Sequence, residues 1–112
     1  MEESQLLRGI LEGCVLTIIS RGETYGYEIL TELISSGFHG LMEGTLYPIL
    51  TRLEKKGLIR CRKEKSPFGP IRKYFSITSE GEIYLNSFKD SYRKITTSAD
   101  RILNQEAGNG NG

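Results

Sequence analysis

The stretch Glu43 to Tyr74, EGTLYPILTRLEKKGLIRCRKEKSPFGPIRKY, decides how the chain reads. Its first part repeats apolar side chains at Leu46, Ile49, Leu50 and Leu53, the spacing of an amphipathic helix. Glu43, Gly44, Thr45 and Tyr47 stand at the start of that helix, around Pro48, which a first helical turn tolerates most easily. Gly57 stops it. Strands are expected over 58–63 and 72–77, joined by the basic loop 64–70. Pro67 and Pro70 cannot donate to a ladder, so the tip of that loop should be free of pairing. A helix that buries one face and offers small and polar groups at its N-terminus, followed by a cationic hairpin, is the pattern of a winged helix-turn-helix. The expected fold is mostly α with a two-stranded β-wing.

Upstream, a first helix is expected over 5–20, with Leu7, Ile10, Leu11, Cys14, Val15, Ile18 and Ile19 in a wide apolar arc. Arg21, Gly22 and Glu23 read as a turn. Thr24 reads as the cap of a second helix from Tyr25 to Ser36, with Ile29, Leu30, Leu33 and Ile34 inward and Gly37 as its stop. Downstream, Thr78 or Ser79 caps a last helix, and Ser79 with Glu82 matches a capping box. Along it Leu85, Phe88, Tyr92, Ile95, Ala99 and Ile102 recur at steps of three and four, an a/d seam for a partner helix. The wide arc of the first helix, with Leu7, Leu11 and Val15, favours exchange of helices between two subunits. The tail EAGNGNG has the composition of a disordered segment. The chain thus divides into a winged-helix domain over 5–77, a dimerisation helix over 78–104 and a tail over 105–112.

Composition narrows the function. A length of 112 residues holds one small domain plus an extra helix, and a core of that size makes an oligomer plausible. With 38% hydrophobic and 26% charged residues the chain falls among soluble globular proteins. No apolar run reaches the roughly 18 residues of a membrane span, and the acidic start lacks the basic opening of a secretory signal. Cys14 and Cys61 form no metal pattern and read as buried free thiols of a cytoplasmic protein. His39 reads as a loop residue. Paired carboxylates, a nucleophile with its base, metal-ligand spacing and a phosphate loop are all missing from the sequence, so neither catalysis nor a cofactor is expected.

Charge points instead to nucleic acid. Residues 43–74 hold nine basic and three acidic residues, whereas the rest of the chain holds six basic and eleven acidic, on a net charge of only +1. A basic face on a near-neutral protein suits selective contact with phosphates. The major groove of B-DNA is about 12 Å wide and admits one helix, which reads bases from its N-terminal turns. Here those turns carry Gly44 for close approach, Thr45 for a phosphate or base, and Tyr47 for a phosphate. Arg52, further along, can anchor the backbone or form a surface salt bridge. Lys65, Arg72 and Lys73 flank a wing tip made of Pro67, Phe68, Gly69 and Pro70, whose contacts would position rather than specify. Tyr74 and Phe75 point to opposite faces of their strand, so one of them is core. A winged-helix module that binds protein is the alternative, because the fold does not fix the function.

The chain resembles the PadR-like transcriptional regulators from Leu6 to about Leu103. The resemblance is carried by LLRGILEGCVLTIIS at 6–20, YGYEI at 25–29, EGTLYPILTRLEKKGLI at 43–59 and GPIRKYFSIT at 69–78. A single helix after the wing is similar to the small subgroup of that family. The resemblance implies a homodimer of winged-helix subunits whose last helix crosses to the partner. It implies binding to a palindromic operator in double-stranded DNA, usually as a repressor of the chain's own or a neighbouring gene. It adds Tyr25 as a contact to the DNA backbone and keeps Thr45, Tyr47, Arg72 and Lys73. Some members bind planar aromatic compounds at the dimer centre, the multidrug type through a tryptophan of the last helix. This chain has no Trp and offers Tyr92 at the matching position. Leu6, Ile10, Tyr92 and Ile95 are the residues such a small aromatic effector would meet.

Overall fold

The computed structural model describes residues 3–109, with side chains from 6 to 105. Its elements run α1 (Glu3–Ser20), β1 (Thr24–Tyr25), α2 (Gly26–Ser35), α3 (Glu43–Lys55), β2 (Ile59–Lys65), β3 (Ile71–Ile77) and α4 (Ser79–Asn109). The three strands form one antiparallel sheet in the order β1-β3-β2. The two-stranded wing is present, and β1 is an addition to it, pairing Thr24 with Phe75 and Tyr25 with Tyr74.

The apolar periodicities of the sequence meet in one core. Leu46, Ile49, Leu50 and Leu53 of α3 pack with Leu11, Val15, Leu16 and Ile19 of α1, Ile29 and Leu33 of α2, and Phe75 of the wing. Both helices of the helix-turn-helix end the same way. Gly37, at φ 126°, and Gly57, at φ 76°, follow α2 and α3 in the left-handed region that side chains resist. The Phe38 N–H reaches the Leu33 carbonyl and the Leu58 N–H reaches the Leu53 carbonyl, each at 3.0 Å, which closes a Schellman turn.

Other boundaries differ from expectation, each for a local reason. Thr24 does not cap α2: it lies in β1, and its hydroxyl donates to the Glu28 carboxylate at 2.8 Å. Tyr25 takes the cap position with no side-chain bond. Thr78, not Ser79, caps α4, since its hydroxyl accepts the Gly81 N–H at 3.0 Å and donates to the Gly57 carbonyl at 2.7 Å. Glu82 therefore closes no capping box with Ser79. Pro48 sits six residues into α3 rather than in its first turn, so the helix lacks the hydrogen bond to the Gly44 carbonyl. The wing ladder continues to Lys65 opposite Ile71, which shortens the loop to 66–70. The helix α4 continues to Asn109, into the stretch expected as a tail, and 110–112 lie outside the described residues.

Beyond Leu85, α4 leaves the core. Phe88 lies against Gly13 of α1, and then Tyr92, Ile95, Ile102 and Leu103 are exposed. The radius of gyration, 17.0 Å, exceeds the about 13 Å of a compact chain this long because of that projection. Leu11, Val15 and Leu85 are at most 4% exposed. They belong to the subunit's own core and have no surface left for a second chain, which removes them from the expected interface.

Where α4 meets the wing, Gly81 leaves no room for a Cβ against the Leu58 carbonyl and the Ile77 side chain. Gly81→Ala is expected to lower stability by about 1–3 kcal/mol, the cost of overpacking against backbone, as read by urea unfolding.

Candidate nucleic-acid interface

The start of α2, the start of α3 and the wing surround one recess of about 530 Å³. Five residues singled out in the sequence border it: Tyr25, Tyr47, Gly69, Arg72 and Lys73. They come from three segments up to 48 residues apart, brought together because β1 pairs with β3 and α3 packs against α2.

Aromatic and cationic side chains are layered here. The Arg72 guanidinium lies 4.3 Å from the centre of the Tyr25 ring. Tyr25 meets Tyr74 edge to face at 5.7 Å, and Arg62 covers Tyr74 at 4.8 Å. Arg62 is held in turn by both carboxylate oxygens of Glu23, at 2.9 and 3.0 Å. Those hydrogen bonds keep the Glu23 carboxyl below its ordinary range. Tyr47 sits across the recess, with its hydroxyl over Gly26, where a Cβ would meet it at 2.5 Å. Neither α2 nor α3 has a side-chain cap; the Thr45 N–H of α3 turns back to the Met42 carbonyl at 3.0 Å instead.

The remaining expected residues divide. Gly44 and Thr45 are exposed at the start of α3 but border a different groove, beside Leu7, Leu41 and Pro48. Lys65 is exposed at the end of β2. Arg52 forms a salt bridge while staying half exposed: its Nε donates to Glu12 of α1 at 3.1 Å. Glu12 also accepts the Tyr84 hydroxyl of α4 at 2.9 Å and lies 3.5 Å from the Lys56 ammonium. Burial pushes the Glu12 carboxyl up. The hydrogen bonds from Arg52 and Tyr84 and the charges of Lys56 and Arg52 outweigh that and hold it below its ordinary value.

Gly26, Tyr27, Ser66 and Ile71 also border the recess without having been singled out. Tyr27 lies within the YGYEI segment, but only its 72% exposure distinguishes it from a core tyrosine. Leu6, Tyr92 and Ile95 are exposed, and Ile10 is half-buried. Tyr92 stacks on Phe88 at 6.2 Å beside a shallow recess with Lys89, Arg93 and Thr96. Cys14 and Cys61 are free, and burial pushes both thiols up, away from the reactive thiolate. Among the described residues no group of His, Cys, Asp and Glu could hold a metal ion, and no helix is long and apolar enough to cross a membrane.

Comparison with known proteins gives a consistent result. The model of the "Transcriptional regulator PadR-like family" matches residues 15–87. A solved PadR-like transcriptional regulator from Bacillus cereus is 45% identical, with a TM-score of 0.78 over 89% of this chain and 97% of that one. A Streptococcus transcriptional regulator is 44% identical, with a TM-score of 0.78 over 89% and 98% of the two chains. An "Uncharacterized protein X" of Lysinibacillus sphaericus is 33% identical over 92% of this chain and 96% of its own length.

The Glu12 cluster has a signature in acid. A carboxyl whose folded pKa is depressed stabilises in full above its unfolded value, ordinarily 4.5, and loses that contribution as pH falls through the lower folded value. Glu12→Gln is expected to cost about 1–2 kcal/mol at neutral pH, since Arg52 and Lys56 stay partly solvated. It should also flatten the fall of the thermal midpoint below that pH, as followed by circular dichroism.

Proposed function

The chain belongs to the PadR-like family of transcriptional regulators, and from that premise we propose that it is a cytoplasmic homodimeric repressor of its own or a neighbouring gene. It binds a palindromic operator in double-stranded DNA. The convergence of Tyr25, Tyr47, Arg72 and Lys73 on one recess carries this reading. The helix α3 enters the major groove, with Gly44, Thr45 and Tyr47 toward base edges and the nearest phosphates. Tyr25 and Arg72, stacked on each other, receive a backbone phosphate, and Lys65, Gly69 and Lys73 follow the strand along the wing. Arg52, tied to Glu12 through Nε, keeps a half-exposed guanidinium beside Gly44 and Thr45 for a backbone phosphate.

Domain roles follow the same division. The winged helix over 5–77 holds the DNA, and α4 holds the partner through Phe88, Tyr92, Ile95, Ala99 and Ile102, with Leu7 of α1 meeting them. Exposed area supports a partner: the chain presents 8054 Å², against about 6200 Å² for a compact monomer of its mass. A small aromatic effector lodges where Leu6 and Ile10 meet Tyr92 and Ile95. It relieves repression by changing the spacing of the two recognition helices, which requires it to favour one spacing over the other.

The test is fluorescence anisotropy with the DNA upstream of the gene, against scrambled DNA, across a range of salt. Preferential, salt-sensitive binding is expected. A complex indifferent to both sequence and salt would favour the protein-binding alternative. Arg72→Ala combined with Lys73→Ala should reduce the salt slope by about two, one for each lost phosphate contact. Ile95, at 67% exposure, can be changed without disturbing the subunit's core. Ile95→Asp should therefore turn a dimer into a folded monomer in sedimentation. A surviving dimer would place the interface elsewhere.

A further inference from the structure

The most exposed aromatic side chain lies at the tip of the wing. Phe68 is 99% exposed, and Ile71 beside it is 60% exposed. Water is a poor environment for either, and neither contributes to the core. The tip is also held out stiffly. Antiparallel pairing continues to Lys65 opposite Ile71, so only residues 66–70 form the loop. Pro67 and Pro70 each fix a backbone angle within it. The Phe68 N–H donates to the Ser66 hydroxyl at 3.4 Å.

Charge defines what such a tip fits. The hairpin 59–77 carries six cations, Arg60, Arg62, Lys63, Lys65, Arg72 and Lys73, against the single Glu64. An apolar point rimmed by cations complements a narrow groove whose walls are apolar sugars, whose rims are phosphates and whose base faces become accessible when a step opens. The DNA minor groove, about 6 Å wide, is such a groove. Gly69 and Pro70 border the same recess as Tyr47, so the tip lies beside the start of α3. With α3 in a major groove, the tip reaches the minor groove next to it.

We infer that Phe68 is a wedge that enters the minor groove flanking each half-site and partly unstacks one base step. This rests on the DNA-binding reading above and goes beyond it. Phe is among the side chains that open base steps in this way, and an opened step bends the duplex away from the minor groove. Pyrimidine–purine steps, TA above all, unstack most readily. Phe68 therefore selects operators by the deformability of a flanking step, at a position where no side chain reads a base edge.

The chain has no Trp, so Phe68→Trp places a single indole at the tip. The probe is a duplex of the upstream DNA with dyes at its two ends, in versions carrying TA or GC at the flanking step. On binding, the indole emission should be quenched and protected from acrylamide, and energy transfer between the dyes should rise. With Phe68→Ala the rise should disappear, affinity for the TA version should fall about tenfold, and the preference for TA over GC should be lost. The thermal midpoint of the free protein should not move.

An indole as accessible to acrylamide in the complex as in the free protein would overturn the inference. So would a Phe68→Ala variant that keeps both the bend and the step preference. Protection that grows with protein concentration in the absence of DNA would overturn it too, placing the tip against a second copy of the chain. Failure of the DNA reading itself is seen separately, as no anisotropy change with the unaltered chain.

Discussion

A single carboxylate fixes how the helices of this chain sit against one another. Glu12 lies on α1 with its side chain 12% exposed, and it is met by Arg52 of α3, by Lys56 just past the end of that helix and by the Tyr84 hydroxyl from α4. A carboxylate withdrawn from water is costly unless its partners arrive together with good geometry. The helix with Tyr47 and the helix with the exposed apolar stripe are thus referenced to the two oxygens of one carboxylate. The cluster also reduces the basic face. Of the nine cations in 43–74, Arg52 and Lys56 face Glu12, and Arg62 faces Glu23 and Glu64. The other six have no carboxylate within ion-pair distance among the described residues, and Lys65, Arg72 and Lys73 of these lie on the wing.

The wing owes its order to a second arrangement, running across the sheet instead of between helices. Arg62, Tyr74, Tyr25 and Arg72 alternate cation and ring, with Glu23 fastening the Arg62 end. Each contact is modest by itself, since cation–π pairs at exposed sites contribute about 0.5–1 kcal/mol. Their effect is to remove freedom from Arg72 and Tyr25 before any ligand arrives, which lowers the entropy cost of binding one. β1 is two residues long and would not stand as a strand alone, yet it aligns the first ring of this row.

These observations separate what a sequence reveals from what it conceals. Helical periodicity located α1, α2 and α3, glycine located two of their ends, and alternation put one of Tyr74 and Phe75 in the core, which the structure shows to be Phe75. Those are local properties. β1 was hidden because Thr24 is as suitable for a cap as for a strand, and only pairing with Phe75, far along the chain, decides between them. Arg52 was readable as a backbone anchor or as a salt bridge, and the partner of that bridge lies 40 residues away, where no local pattern points to it. The seam of α4 is periodic throughout, but periodicity does not say what covers each turn. Leu85 is covered by its own subunit, and Ile95 and Ile102 are left exposed. Of the residues around the recess, Tyr47, Arg72 and Lys73 were legible as residue types and Tyr25 only through the family resemblance, whereas Gly26 and Tyr27 carried no signal of their place beside them.

The contact between Tyr47 and Gly26 bears on how such a regulator can change over evolutionary time. The phenol ring occupies the space that any side chain at position 26 would need. A side chain at 26 displaces the half-exposed ring of Tyr47 from its present position, and a smaller residue at 47 uncovers Gly26 to solvent. The two positions should therefore drift as a pair among relatives. A lineage that keeps a tyrosine at 47 keeps glycine at 26 with it, while Thr45 and Gly44, with open space around Gly44, are free to vary one at a time.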